Sequence, residues 1–374
     1  MIENNYLNKL PIVSIIIGTR PEAIKLAQVY LTLKLCKKIN LRLILTGQHT
    51  DLVNQVLNIF EISADNNLNL MKKNQSLEYL TQGIMEGLSD EFKKYPPNLL
   101  LVQGDTTTAF VSSLFAFYNK IPIGHLEAGL RTDNLYSPYP EEANRRLISQ
   151  IATIHFAPTE KAKNNLIING INKNIFITGN TVIDSLLKTL KTIDKIPKFA
   201  KENEKLILVT IHRRENQGEK LKNIATSLKK IINEFSDVRL LLPLHPNPKI
   251  RETLIDYLNN EDRINLVEPL DYKSLIAAMN ESYLLLTDSG GLQEEAPTLG
   301  KPILVLRENT ERQEIIESGG GILVGTDSNS ILKEVKSLLQ NKSKYERMSN
   351  ISNPYGDGKA SKRILEIIKN FLKI

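Results

Sequence analysis

Twice along this chain, short runs of leucine and β-branched residues alternate with stretches of helical periodicity, and that alternation leaves few folds open. In the first half, IVSIIIG (12–18), LRLILTG (41–47), LLLVQGD (99–105), IPIGHLE (121–127), TIHFAPT (153–159) and NIFITGN (174–180) read as strands. QVYLTLKLCKKI, LVNQVLNIF, EYLTQGIMEGLSDEFKKY and EEANRRLISQIA read as amphipathic helices between them. The pattern restarts with KLILVTIHRRE (205–215), VRLLLPLHP, INLVEP, YLLLTDSGG, KPILVLREN and GGILVG. Such alternation predicts parallel sheets with helices on both faces. The 374 residues exceed the ~250–300 at which one core stops growing, so an α/β chain of two domains is expected. The expected boundaries are 1–188 for the first domain, 189–205 for a charged, Pro-interrupted linker, 206–353 for the second domain, and 354–374 for a terminal turn and helix packing back toward the first.

Several function classes drop out. The one cysteine, Cys36, sits in a helical pattern; it excludes a disulfide framework or a Cys-rich zinc site and reads as a partly buried small side chain. The net charge of +6 comes from lysines scattered among acids, with no basic block interleaved with aromatics, which argues against nucleic acid. No stretch reaches the ~18–20 apolar residues of a membrane span. The first apolar run leads straight into GTRPEA rather than a cleavage site, so a cytoplasmic protein is expected.

Ligands of open α/β sheets bind beyond the carboxyl ends of the strands. The unusual residues cluster there: GTRPEAIK, TGQH, QGDTTT, GHLEAGLRT, HRRE, LHPNP and DSGGLQEEAP. Two sheets whose strand ends carry such groups predict a site in the cleft between the domains. In DSGGLQEEAP, Ser289, Gly290 and Gly291 lead from a strand into a helix whose free N–H groups suit a phosphate. An N-capped helix after a tight turn fits those letters equally well. His212, Arg213 and His245 follow strands of the same domain and supply cations where a diphosphate would lie; Glu295 suits ribose hydroxyls. GTRPEAIK lacks G-x-G-x-x-G, which removes NAD as an easy assumption. Its Gly18, Pro21 and Glu22 are explained by the turn and the helix dipole, whereas Arg20 and Lys25 are not. Asp105 reads as an N-cap on spacing alone, Glu127 with Arg131 as an ion pair, and Glu141–Arg145 and Glu142–Arg146 as i, i+4 surface pairs.

These motifs, with QSL, HFAPTE, TGNTVIDSL, EPLDY, LGKPILVLR, TER and NPYGDGKAS, run in order through nearly the whole chain and resemble the non-hydrolysing UDP-N-acetylglucosamine 2-epimerases. The resemblance implies two Rossmann-like domains in a glycosyltransferase-B arrangement, a homodimer, and interconversion of UDP-GlcNAc and UDP-ManNAc without cofactor or metal. It makes Asp105, Glu127 and Glu141 the acid/base carboxylates, without saying which serves which face of the sugar. It makes Arg20, Lys25 and His212 contacts to the substrate or its phosphates, and Ser289, Gly291 and Glu295 parts of the UDP loop. Gln48, His49 and His245 match the neighbourhood of a second, allosteric UDP-GlcNAc site. Two departures stand out: Gln313 follows Thr310-Glu311-Arg312 where many relatives have proline, and Asn74 stands where regulated members commonly have arginine.

The implied chemistry accounts for the gathering of acids and guanidinium groups. The C2 proton of the sugar is not activated by a carbonyl. Breaking the C1–O bond to UDP makes it acidic, and anti elimination leaves 2-acetamidoglucal and UDP. This route requires cations around the diphosphate, carboxylates near both ring faces, and exclusion of water. A hydrolysing epimerase, a retaining glycosyltransferase of the same architecture and a non-catalytic nucleotide-sugar sensor are the alternatives; the last has no need of the three carboxylates.

Overall fold

The computed structural model describes residues 10–48, 50–72, 75–132, 134–193, 196, 198–259 and 261–374. The chain forms two compact units, residues 1–185 with 355–374, and residues 186–354.

The first unit runs β1 (Ile12–Ile17), α1 (Arg20–Lys34), β2 (Asn40–Leu45), α2 (Thr50–Ile59), β3 (Asn66–Asn67), α3 (Leu77–Lys94), β4 (Leu99–Gln103), α4 (Thr107–Tyr118), β5 (Ile123–Leu126), α5 (Glu141–Ile151), β6 (Ile154–Ala157), α6 (Glu160–Ile168) and β7 (Ile175–Ile177); α7 (Thr181–Leu190) crosses the boundary. The second runs β8 (Lys205–Thr210), α8 (Glu219–Glu234), β9 (Val238–Pro243), α9 (Pro248–Leu258), β10 (Ile264–Val267), α10 (Tyr272–Glu281), β11 (Leu284–Thr287), α11 (Gly290–Glu295), β12 (Ile303–Val305), α12 (Gln313–Glu317), β13 (Gly321–Leu323), α13 (Ser328–Gln340) and α14 (Lys342–Ser349); α15 (Ala360–Leu372) returns to the first unit.

Both sheets are parallel throughout, with strand orders β3-β2-β1-β4-β5-β6-β7 and β10-β9-β8-β11-β12-β13. Each has the order of a Rossmann-like sheet, with a switch point between β1 and β4 and between β8 and β11. Central strands are buried on both faces, which is why they read as unbroken apolar runs: every residue of β4 is buried. The two-residue β3 was not foreseen, because Asn-Asn carries no strand signal. Cys36 is partly buried and unpaired. Residues Phe199 and Ala200, in the stretch read as a linker, are held in the second unit by amide hydrogen bonds to Glu281 at 2.8–3.0 Å. Among the described residues no helix is long and apolar enough to cross a membrane.

The last helix is fastened by a carboxylate from elsewhere in the chain. Buried Asp184 of α7 accepts from the amides of Ala360 and Ser361 at 3.1 and 2.8 Å, supplying the cap that Lys359 does not give α15. Ile364 and Ile368 are fully buried, on a helix that packs against α1. Asp184→Ala leaves both amides unsatisfied beside that packed surface. The expected loss is about 1–2 kcal/mol of unfolding free energy, measured by urea titration.

Candidate active site

In the first unit the candidates gather at the carboxyl ends of β1, β4 and β5. Asp105 follows the Gly104 turn and is not the cap of α4. Thr106 holds that position, its hydroxyl accepting from the Ala109 amide at 3.0 Å, so the Asp105 carboxylate is not consumed by the helix. Arg145 of α5 approaches it instead, with Nε and Nη2 each 2.7 Å from Oδ2, while Asn144 Nδ2 donates to the Asp105 carbonyl at 2.8 Å. Of the expected helical pairs, Glu142–Arg146 forms at 2.8 Å; Arg145 turns to Asp105 and to Glu142, at 3.1 Å, rather than to Glu141. The buried Glu142 carboxylate thus takes both arginines.

Glu127 has a backbone φ of 61°, a left-handed conformation that costs a non-glycine residue roughly 1 kcal/mol or more. A Cβ at Gly104, itself at φ 70°, would lie 3.4 Å from Glu127 Oε2, so the carboxylate sits over that glycine. This placement explains why the expected pair with Arg131 does not form. Glu127 accepts from Lys25 Nζ, Gln103 Nε2 and, at 3.1 Å, Asn180 Nδ2, whereas Arg131 binds the Leu130 carbonyl and the Ser149 hydroxyl at 2.7 and 2.9 Å. Buried His125 donates from Nε2 to the Gly104 carbonyl at 2.7 Å and ties the ends of β4 and β5 together. Burial pushes its imidazole down to about 4, so it stays neutral.

Glu141 begins α5, and its Oε2 is enclosed without a hydrogen-bond partner among the described residues. Lys25 is buried and Arg20, the first residue of α1, is half-buried. Gln48 accepts from the Thr108 hydroxyl at 2.8 Å through its side chain and from Gln75 at 3.2 Å through its carbonyl. His49 and Asn74 lie outside the described residues.

The second unit gathers its candidates after β8, β9 and β11, around a buried aspartate. Asp288 is fully buried, and its carboxylate accepts from the His212 and Arg213 amides at 2.9–3.1 Å and from Asn216 Nδ2 at 3.0 Å. His212 Nδ1 lies 3.0 Å from Oδ1. Burial alone would raise the Asp288 pKa, but its contacts with the His212 ring and these amides outweigh it and hold the carboxyl below its ordinary value. The His212 and His245 rings stack at a centroid distance of 6.1 Å, and His245 is exposed.

Ser289 is the N-cap of α11, yet its hydroxyl makes no capping bond, and Gly291 has room beside it: a Cβ there would meet only Ser289 Oγ, at 3.9 Å. Gly290 is packed on Arg312, whose Cζ would stand 3.1 Å from a Cβ. Buried Glu295 accepts from the Tyr272 hydroxyl at 2.8 Å. Below this loop, Glu311 meets Arg213, Arg307 and Arg312 at 3.3, 2.8 and 2.7 Å. Burial would raise its pKa, but the three guanidinium groups hold it far below the usual carboxylate range. Gln313 Nε2 donates to the Thr310 carbonyl at 2.6 Å.

Each unit therefore brings its own candidates together. Missed in the sequence were Arg145, Gln103, Asn180, Asp288 and Glu311. Asp288 had a signal, being a strand-end aspartate like Asp105. Arg145, Gln103 and Asn180 act through contacts distant in the chain, and Glu311 joins its neighbours Arg307 and Arg312 to the distant Arg213.

A sequence model of the UDP-N-acetylglucosamine 2-epimerases matches residues 32–369. The UDP-N-acetylglucosamine 2-epimerase of Neisseria meningitidis is 47% identical over 95% of this chain and 98% of its own, and that of Bacillus subtilis 46% identical over 96% and 95%. The crystal structure of the Neisseria meningitidis enzyme bound to UDP-GlcNAc superposes with a TM-score of 0.90 at 46% identity, covering 97% of this chain and 100% of that one. The Methanocaldococcus jannaschii enzyme in complex with UDP-GlcNAc and UDP gives 0.82 at 35% identity, covering 96% and 99%. Sucrose-phosphate synthase from Thermosynechococcus elongatus, at 12% identity and a TM-score of 0.65 over 97% and 99%, shares the glycosyltransferase-B fold alone. With two Rossmann-like sheets and a match spanning nearly its whole length, the chain belongs to the UDP-N-acetylglucosamine 2-epimerase family.

Proposed function

We propose that this protein interconverts UDP-GlcNAc and UDP-ManNAc without hydrolysis, the carboxylates of the first unit serving acid/base chemistry on the sugar and the strand-end residues of the second unit binding UDP. The observation that carries the reading is the carboxylate cluster of the first unit, with Asp105 held by Arg145 and Glu127 by Lys25, Gln103 and Asn180. Such partners fix the carboxylates in place before the substrate arrives.

In the proposed reaction a carboxylate removes the C2 proton while the C1–O bond breaks, the C–H electron pair becoming the C1=C2 bond of 2-acetamidoglucal. UDP leaves toward His212, Arg213 and the Ser289–Gly291 loop. A second carboxyl group then delivers a proton to the opposite face of C2, and a β-phosphate oxygen of UDP re-forms the bond to C1. Asp105, Glu127 and Glu141 supply these carboxyl groups, Asp105 fixed by Arg145 and Glu127 by Lys25, Gln103 and Asn180. Arg20 contacts the substrate or its phosphates, His245 lies by the diphosphate, and Glu295 accepts from the ribose hydroxyls in this reading. The protein acts as a cytoplasmic homodimer and supplies N-acetylmannosamine units for cell-surface polysaccharide in this reading.

Incubation with UDP-GlcNAc in heavy water tests the reaction. UDP-ManNAc carrying deuterium at C2, and deuterium washed into UDP-GlcNAc at equilibrium, are expected. Free N-acetylmannosamine with UDP would show hydrolysis instead, and sugar transfer without C2 exchange would show a transferase.

A further inference from the structure

Glu22 is a buried carboxyl group to which the proposed chemistry gives no task. It is 1% exposed, in the third position of α1, and it accepts four hydrogen bonds. Oε2 takes the amides of Gly18 and Thr19 and the Thr19 hydroxyl at 2.9, 2.6 and 2.9 Å, all within its own turn. Oε1 takes the Thr106 hydroxyl at 2.5 Å from a different loop, eighty-four residues on. Thr106 neighbours Asp105 and itself accepts from Ala109, so the carboxylate stands at the end of a chain running through the cap of α4. Gly18 completes the approach: a Cβ there would overlap Thr108 Oγ1 at 2.1 Å, so the two turns meet with no room between them.

We propose that Glu22 is a positioning residue, clasping the turn that carries Arg20 and Lys25 to the turn that carries Asp105. A helix-dipole role would be met by an exposed acid and needs no partner on α4. Burial raises the carboxyl to about 7 against the pull of its hydrogen bonds. The charged groups on the elements it joins are Arg20 and Lys25 of its own helix, Lys25 bound to Glu127, and Asp105 beside Thr106, bound to Arg145 of α5; its shift comes from burial and hydrogen bonds rather than from any of these charges. Only the ionised form accepts from all four donors. A proton on Oε1 would force Thr106 to give up its role as donor and slacken the clasp.

The inference rests on Asp105 taking part in catalysis, and its test separates the two. Glu22→Gln, Thr106→Val, Thr106→Ser and the double variant Glu22→Gln/Thr106→Val are compared in steady-state kinetics and urea unfolding. Glu22→Gln is expected to lower kcat by about tenfold to a hundredfold with KM for UDP-GlcNAc within about twofold, as a misplaced catalytic group does. Wild-type kcat is expected to rise from pH 6 to 8 as Glu22 ionises, and that rise should be missing in the variant. Thr106→Ser should stay near wild type, and the double variant should be no slower than the slower single one. Unchanged kcat in Glu22→Gln, a retained pH limb, or multiplicative losses in the double variant would overturn the clasp. If the wild type does not epimerise, the functional reading fails, and the clasp is judged by coupling of the two sites in unfolding: additive stabilities overturn it, non-additive ones support it. Unfolding also reports the titration. Because folding raises the pKa above the ordinary 4.5, Glu22 favours the folded chain less as pH rises from about 4.5 to about 7, and Glu22→Gln should flatten that decline.

Discussion

Asp105→Asn is expected to lower kcat for UDP-GlcNAc epimerisation by roughly 10³-fold, about 4 kcal/mol of transition-state stabilisation, while the Kd for UDP changes by less than about twofold. The substitution keeps the shape of the side chain and removes its basicity. Arg145 retains Glu142 at 3.1 Å, and the cap of α4 depends on Thr106, so neither the arginine nor the helix loses its main anchor. His212, Arg213, Ser289, Gly291 and Glu295, among the UDP-binding candidates, belong to the other unit and make their contacts without Asp105. Kinetics, C2 deuterium exchange and calorimetric titration with UDP measure the three quantities on one preparation. Near-normal exchange would remove Asp105 from the mechanism. Lost exchange together with lost UDP binding would point to a disturbed fold rather than missing acid/base chemistry.

The split between retained binding and lost chemistry follows from how the fold distributes its residues, and that distribution was largely legible. Apolar runs such as LLLVQ, ending in Gly-Asp, identify both a central strand and the loop beyond it, because burial on two faces and a tight turn each leave a local signature. What the letters do not carry is which partner a charged side chain chooses. Glu127 and Arg131 are four apart and look paired, yet a left-handed backbone at Glu127 turns its carboxylate toward Lys25, over a hundred residues earlier in the chain. Asp105 looks like a cap until Thr106 takes the position. Spacing reports neighbours along one helix, whereas a sheet of strand order β3-β2-β1-β4-β5 brings together ends that are remote in sequence. Glu22 shows the same limit from the other side: its local role at the helix start was readable, and its bond to Thr106 was not.

Asp288→Asn is expected to be the most damaging change in the second unit, lowering kcat by about a hundredfold and weakening UDP binding by about tenfold. The carboxylate is acceptor-only, and every contact it makes is with a donor: the His212 and Arg213 amides, Asn216 Nδ2 and, at 3.0 Å, His212 Nδ1. An amide must present an NH₂ group to one side. Turned toward Oδ2 it would oppose three donors, the His212 and Arg213 amides and Asn216 Nδ2, so the less costly orientation faces the His212 ring, which must then accept at Nδ1 and carry its proton on Nε2. The imidazole loses both its tautomer and its fixed angle, as happens when the orienting aspartate of a serine-protease triad is replaced, where the loss reaches about 10⁴-fold. A smaller factor is expected here because Arg213 and the Ser289 loop still face the diphosphate in the proposed site. Folding lowers the Asp288 pKa, so the stability its charge contributes is fully present above the ordinary 3.8 and is lost as pH falls below it; the variant lacks that contribution at neutral pH and should unfold at lower urea. His212→Asn combined with Asp288→Asn should be scarcely slower than His212→Asn alone, since the aspartate acts through the ring. Independent, multiplicative losses would show that Asp288 serves the reaction by another route.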